Sequence, residues 1–201
     1  MVLVAATPLE YRALRRALPY ARIVLTGIAL RDLAQPLGEM VVSCGLAGGL
    51  RADLPTGTLL IPREVRRPDG GVLRCDDELV DAFVQSARRL GIEPVDAPLL
   101  TAESIVNGAA RERWASQGYA GVDMETGRLV AARLAAVRVV LDTPQHELSA
   151  DWEHPLRALL RPRNWPQAAW LARTAPRAAG LAAAVVAATQ GIAGQLRITA
   201  P

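Results

Sequence analysis

Two carboxylates stand out in the stretch from Gly121 to Asp142, GVDMETGRLVAARLAAVRVVLD. Glu125 follows Val122-Asp123-Met124 at a short turn. Asp142 follows Val137-Arg138-Val139-Val140-Leu141, an apolar, β-branched run that reads as a buried strand. Pro144 prevents that strand from continuing. In open α/β sheets, ligands bind outside the carboxyl ends of the strands. Both carboxylates are therefore expected at one pocket. Apolar surroundings raise the pKa of an acid such as Asp142 towards neutrality and make it a proton donor. A third carboxylate, Glu10, stands where a first strand gives way to a helix. Each group also has a plainer reading from position alone. Glu10 and Glu125 read as helix-start glutamates that complement the dipole. Asp142 reads as a cap on the turn through Thr143-Pro144.

The elements that must position these groups alternate between strand and helix. Residues 2–6 read as a strand that is apolar on both faces, and so belongs inside a sheet. Thr7-Pro8 opens a helix with Leu9, Ala13, Leu14, Ala17 and Leu18 on one face and Arg12, Arg15 and Arg16 on the other. Further strands are expected at 22–26, 40–44, 58–65 and 95–101, with a short helix or turn at 31–37. Pro68-Asp69-Gly70-Gly71 marks a hairpin turn. Helices are expected at 76–90, with Gly91 as the stop, and at 107–117. Between Glu125 and Val137 an alanine-rich helix is expected, with Leu129, Val130, Ala132, Arg133 and Leu134 near helical spacing. Residues 167–174 and 177–190 read as two more helices. This order predicts an α/β fold with a central mixed β-sheet flanked by helices on both faces. One domain is expected over residues 1–201, with 150–201 a C-terminal helical extension packed on it.

Composition narrows the functional classes. Hydrophobic residues make up 51% of the chain and aromatics only 4%, so the core must be built from Ala, Val and Leu. The formal charge of +3 is carried almost wholly by Arg, without the aromatic-interleaved basic motif of an RNA-binding surface. No nucleic-acid partner is expected. Cys44 and Cys75 show neither metal spacing nor a disulfide framework, which fits a reducing cytoplasm. His146 and His154 have no partner at ligand spacing, so no metal is expected. The N-terminus does not read as a signal peptide, and no apolar run is long enough to span a bilayer.

The stretch Val122-Asp123-Met124-Glu125, with Arg138 to Asp142 following it, resembles the nucleoside phosphorylase/nucleosidase superfamily. That family carries a V-D/E-M-E segment and then a strand ending in Arg-x-x-x-Asp. Four other segments match in order. Ala5-Ala6-Thr7-Pro8-Leu9-Glu10 has the glutamate of the family's hydrolases rather than the Gly-x-x-Arg loop of its phosphorylases. Gly45-Leu46-Ala47-Gly48-Gly49-Leu50 matches a G-x-A-G-G-L run, with Leu46 where many relatives carry a hydroxyl residue. Thr101 to Gly108 is similar to the S-G-D-x-F-x-x-G loop, with Ile105 in place of the base-stacking aromatic. Thr26-Gly27-Ile28 is similar to a reduced form of the glycine loop near the sugar, and the chain from there to Met40 is shorter than in typical relatives.

The resemblance implies a nucleosidase that needs no cofactor and takes a small nucleoside substrate. Asp142 would protonate the leaving purine and Glu10 would hold the attacking water. Leu46, Ala47, Gly48, Ile105, Asp123, Met124 and Glu125 would bind substrate, with Glu125 on the ribose diol and Met124 packed against the sugar. The nearest sub-group in these segments is the hopanoid-associated nucleosidases, which implies adenosylhopane as substrate. Methylthioadenosine/S-adenosylhomocysteine or futalosine hydrolysis, or nucleoside binding without catalysis, are the alternatives. A homodimer is expected, in the cytoplasm. The arginines and tryptophans between Trp152 and Trp170 imply either peripheral contact with the inner membrane or packing of the C-terminal helices onto the sheet.

Overall fold

A computed structural model describes residues 1–33 and 37–196, with no account of the side chains of 155 and 190–196. The strands are β1 (Val2–Ala5), β2 (Ile23–Leu25), β3 (Met40–Gly49), β4 (Leu59–Leu60), β5 (Glu64–Arg66), β6 (Val72–Arg74), β7 (Leu99–Thr101), β8 (Gly121–Asp123) and β9 (Arg133–Val140). The helices are α1 (Pro8–Ala17), α2 (Asp77–Arg89), α3 (Gly108–Ser116), α4 (Pro155–Leu159) and α5 (Trp165–Leu196). Together the strands form a nine-stranded sheet, ordered β2-β1-β3-β8-β7-β5-β6, with β9 pairing both β3 and β4. The sheet is mixed. β3 runs parallel to β1 and β9 and antiparallel to β8. The expected α/β class with a mixed sheet is what forms.

Alternation along β1 shows why it sits inside the sheet. Leu3 and Ala5 face one core, shared with Leu14, Phe83 and the alanines Ala178, Ala182 and Ala183 of α5. Val2 and Val4 face a second core with Leu37, Val41, Leu129 and Leu134. A strand with both faces buried cannot alternate polar residues, hence its continuous apolar sequence. The hairpin forms where expected, joining β5 to β6, with Arg67 N–H donating to Gly71 O at 2.8 Å. The expected helix after Cys75 is α2. Asp76 caps it by accepting from Leu79 N at 3.0 Å, and Gly91 ends it at φ +75°.

The structure corrects four expectations. The alanine-rich helix between Glu125 and Val137 does not form. Only Thr126–Arg128 makes a single 3₁₀ turn, and β9 already begins at Arg133. Residues 133–140 lie in parallel register with 40–47 of β3, from Met40↔Arg133 to Ala47↔Val140. That ladder overrides the helical preference of Ala132, Ala135 and Ala136. The strand expected at 58–65 is split into β4 and β5 around Pro62, which cannot donate to a ladder. The strand expected at 95–101 shrinks to β7, leaving Val95 as an isolated bridge to Leu60. The two C-terminal helices are one, α5, with Pro176 inside it. Its buried stripe of Ala175, Ala178, Ala179, Ala182, Ala183 and Val186 keeps helical spacing from just before Pro176 onwards. That packing outweighs the one backbone donor that proline removes. The turn expected at 31–37 includes residues 34–36, outside those described. A 3₁₀ turn lies just before it at Ile28–Leu30.

Candidate active site

The carboxyl ends of β1 and β3 and the chain just beyond β9 meet at a cavity of about 270 Å³. The same cavity reaches Asp123 at the end of β8 and the two residues after it. Its lining includes all the residues singled out from sequence: Glu10; Leu46, Ala47 and Gly48; Ile105; Asp123, Met124 and Glu125; and Asp142.

Glu10 is 4% exposed although it lies in the first turn of α1. It completes a capping box. Thr7 Oγ1 accepts from Glu10 N, and Glu10 Oε2 accepts from Thr7 N and Thr7 Oγ1, both at 2.8 Å. Its other oxygen, Oε1, accepts from Leu46 N at 2.8 Å. A carboxylate offers about four acceptor sites. Three are used by the protein, which leaves one for a water in the cavity.

Gly45 makes this approach possible. A Cβ there would lie 2.1 Å from Glu10 Oε1 and 2.9 Å from Arg138 Nη1. Gly45↔Arg138 is also a register pair of β3 and β9, so the guanidinium crosses over a residue with no side chain. Gly45→Ala is therefore expected to displace two buried charged groups and to cost about 1–3 kcal/mol, the usual range for overpacking. Thermal unfolding checks this. An unshifted midpoint would show that Glu10 and Arg138 can move aside freely.

Arg138 does not line the cavity but is the buried charge that holds two of its carboxylates. It is 1% exposed, and its Nη2 lies 2.7 Å from Asp123 Oδ2 and 3.7 Å from Glu125 Oε2. The same nitrogen donates to Ser43 Oγ at 2.6 Å and Thr126 Oγ1 at 2.9 Å. Asp123 is further held by Thr101 Oγ1 at 2.6 Å and by the Thr126 backbone and hydroxyl. Its oxygens are thus engaged by the protein. In this geometry it braces Arg138 more than it offers hydrogen bonds to the cavity.

Glu125 keeps freer acceptors. It accepts from Ala29 N at 3.0 Å, across from the Ile28–Leu30 turn, and weakly from Met124 N at 3.3 Å. Burial pushes its carboxyl up to about 7, against the pull of Arg138 and with help from Asp123.

Asp142 is 6% exposed and lies two residues beyond β9. Burial raises its carboxyl above the ordinary range, and Arg111 opposes that rise. Arg111 Nη2 donates to Oδ2 at 2.5 Å, while Oδ1 lies over Gly48, 3.1 Å from where a Cβ would be. One oxygen is anchored and the other faces the glycine bed, an arrangement suited to carrying a proton to a ligand.

Arg111 is the part of the site that sequence reasoning missed. It is 1% exposed and also donates to Gly49 O at 2.7 Å and Val106 O at 3.1 Å. It comes from α3, GAARERWAS, which has no apolar stripe to show which face turns inward. Leu148, Trp152 and Leu171 also line the cavity and add apolar surface to it, and the Leu148 backbone lies beside the Asp142 carboxylate. Trp152 is positioned through its Nε1, which donates to Gln167 Oε1 at 2.8 Å.

Comparison with known proteins matches the chain to a family. The family model described as the phosphorylase superfamily matches residues 19–187. Among similar solved structures is 5′-methylthioadenosine/S-adenosylhomocysteine nucleosidase from Helicobacter pylori with butyl-thio-DADMe-Immucillin-A. It is 12% identical, with 95% of this chain and 97% of that chain covered, at a TM-score of 0.72. Futalosine hydrolase of Helicobacter pylori is 12% identical over 95% and 97%, at a TM-score of 0.69. A methylthioadenosine/S-adenosylhomocysteine nucleosidase from Colwellia psychrerythraea, in complex with adenine, is 18% identical over 94% and 93%, at a TM-score of 0.67. At these identities the likeness is one of fold. With the family model covering most of its length, the chain belongs to the phosphorylase superfamily.

Proposed function

We propose that this protein is a purine nucleosidase that releases adenine from a 5′-substituted adenosine. The observation that carries the reading is the placement of Glu10, Glu125 and Asp142 on one cavity, each in a different environment. Splitting an N-riboside passes through an oxocarbenium-like transition state, as in O-glycoside hydrolysis. Asp142 Oδ1 gives its proton to the purine N7 as the bond from C1′ to N9 breaks, and the base leaves neutral. Glu125, ionised, binds the ribose hydroxyls and favours the positive ring. The water held by Glu10 adds to C1′, and its proton passes to the Glu10 carboxylate. Met124 packs its thioether against the sugar.

Hydrolysis rather than phosphorolysis is supported by the cations at the site. Among the described residues, the two arginines closest to the carboxylates are Arg111 and Arg138, both already committed to carboxylates. Neither is left to hold a phosphate. The apolar lining contributed by Trp152 and Leu171 supports a large apolar 5′ group. Adenosylhopane, in hopanoid synthesis, is the substrate that combines these features. The same features rank methylthioadenosine lower and the acidic futalosine lowest.

One series tests both levels. In phosphate-free buffer, 5′-alkylthioadenosines of increasing chain length should yield free adenine and free sugar. Each buried methylene contributes about 0.8 kcal/mol, so kcat/KM should rise roughly fourfold per carbon until the cavity is filled. A sugar 1-phosphate product, formed only with phosphate, would overturn hydrolysis. A flat series would overturn the apolar substrate while leaving the nucleosidase.

A further inference from the structure

Exposed apolar residues elsewhere on the molecule, such as Tyr20, Val72 and Val130, stand apart in the chain. Between α4 and the start of α5 they cluster. Leu156 and Leu160 are each 82% exposed, Trp165 is 60% exposed, and Leu159 is 48% exposed. The segment between them is not loosely held. Asn164 Nδ2 donates to Ala158 O at 3.1 Å and Asp151 Oδ2 at 2.9 Å, and both Asn164 and Ala158 are buried. Those anchors turn the leucines outward. Trp165 Nε1 donates to Leu159 O at 3.1 Å, so its indole is satisfied while its ring faces solvent.

Arginines alternate with these apolar residues. Arg157 is exposed, and the side chains of Arg161 and Arg163 are 53% and 69% exposed. Asp151 pairs with both Arg161 and Arg163 and neutralises only part of their charge. From 150 to 180 the chain holds five arginines against two acids. The cluster adjoins the cavity as well. Trp152, on the cavity wall, belongs to the 3₁₀ turn Ala150–Glu153 that packs on α4.

We infer that the exposed cluster formed by Leu156, Leu159, Leu160 and Trp165, with Arg157, Arg161 and Arg163, docks this protein on an anionic lipid bilayer. Leucines enter the boundary between headgroups and acyl chains, tryptophan settles at that depth, and guanidinium groups pair with lipid phosphates. Charge complementarity selects this occupant over an uncharged apolar partner. Among the described residues no helix is long and apolar enough to cross a membrane, so the contact lies at the bilayer surface. Docking in this way brings the apolar side of the cavity to the lipid phase, from which a substrate with an apolar tail can enter without crossing water. The inference rests on the proposed nucleosidase reading only for that purpose.

Vesicle flotation tests it without turnover, so the two readings fail separately. The protein should float with phosphatidylcholine/phosphatidylglycerol vesicles, and about tenfold less with phosphatidylcholine alone. High salt should weaken binding, since screening shortens the reach of the arginines. The double variant Leu156→Ser/Leu160→Ser should bind anionic vesicles about tenfold more weakly, a loss of about 1.4 kcal/mol. Both residues lie outside the cavity and are exposed, so the variant's circular dichroism and thermal midpoint should match the parent. Equal binding to neutral and anionic vesicles, or an unchanged double variant, would overturn the inference. So would sedimentation showing that the substitutions break a dimer of a protein that never floats, which would assign the face to a second copy of the chain.

Discussion

Asp142→Asn is expected to lower kcat by about 10²–10⁴-fold with little change in KM, the range for losing one general acid. The amide keeps the size and the contact with Arg111 Nη2 through its oxygen. What it lacks is a transferable proton at Oδ1, beside Gly48. The loss should depend on the leaving group. An adenine anion needs protonation, whereas a ribosyl donor whose leaving group is already a weak base does not. On p-nitrophenyl riboside the variant should therefore fall far less behind the parent. Equal losses on both substrates would mean that Asp142 positions the base and does not protonate it.

Arg138→Met should be the most destabilising substitution at the site, by about 3–5 kcal/mol, as expected when one partner of a buried ion pair is removed. Asp123 would lose its 2.7 Å partner and Glu125 the cation 3.7 Å away, both in a desolvated setting. The sign of the pH dependence follows. Glu125 is already raised from 4.5 to about 7 in the presence of Arg138. A raised carboxyl pKa means that the native state binds more protons than the unfolded chain. Stability from that group is therefore fullest below 4.5 and is lost as pH climbs towards 7. Removing Arg138 takes away the largest force lowering that pKa, so the variant should lose still more stability at alkaline pH. Urea unfolding at mildly acidic and mildly alkaline pH measures it. A deficit of the same size at both would show that the two carboxylates find other partners.

Sequence made the strand ends legible because glycine and apolar runs carry local meaning. Gly45 and Gly48 mark close approaches that any side chain would block, and Val139-Val140-Leu141 reads as buried wherever it is placed. Long-range partners were not legible. The ladder that makes Arg133 to Ala136 a strand is supplied by β3, some ninety residues earlier. α5 is continuous through Pro176 because the sheet and α1 and α2 hold its apolar stripe. Arg111 reads as one more surface arginine until α3 is docked, and only then does it lie against Asp142.

On the proposed mechanism Glu10 has two duties, and this bears on how related chains are compared over evolutionary time. As the third helical residue of the Thr7 capping box it supports the start of α1, a contribution of about 1 kcal/mol in typical proteins. Selection for folding alone would preserve it. A lineage that had abandoned the reaction would still keep a glutamate there, whereas the buried contact of Asp142 with Arg111 needs only an oxygen, which asparagine also supplies. Among descendants of a common ancestor, loss of the aspartate should therefore come first and the glutamate should persist. An inactive homologue is to be recognised by what stands at position 142, and a surviving Glu10 testifies only to an intact helix.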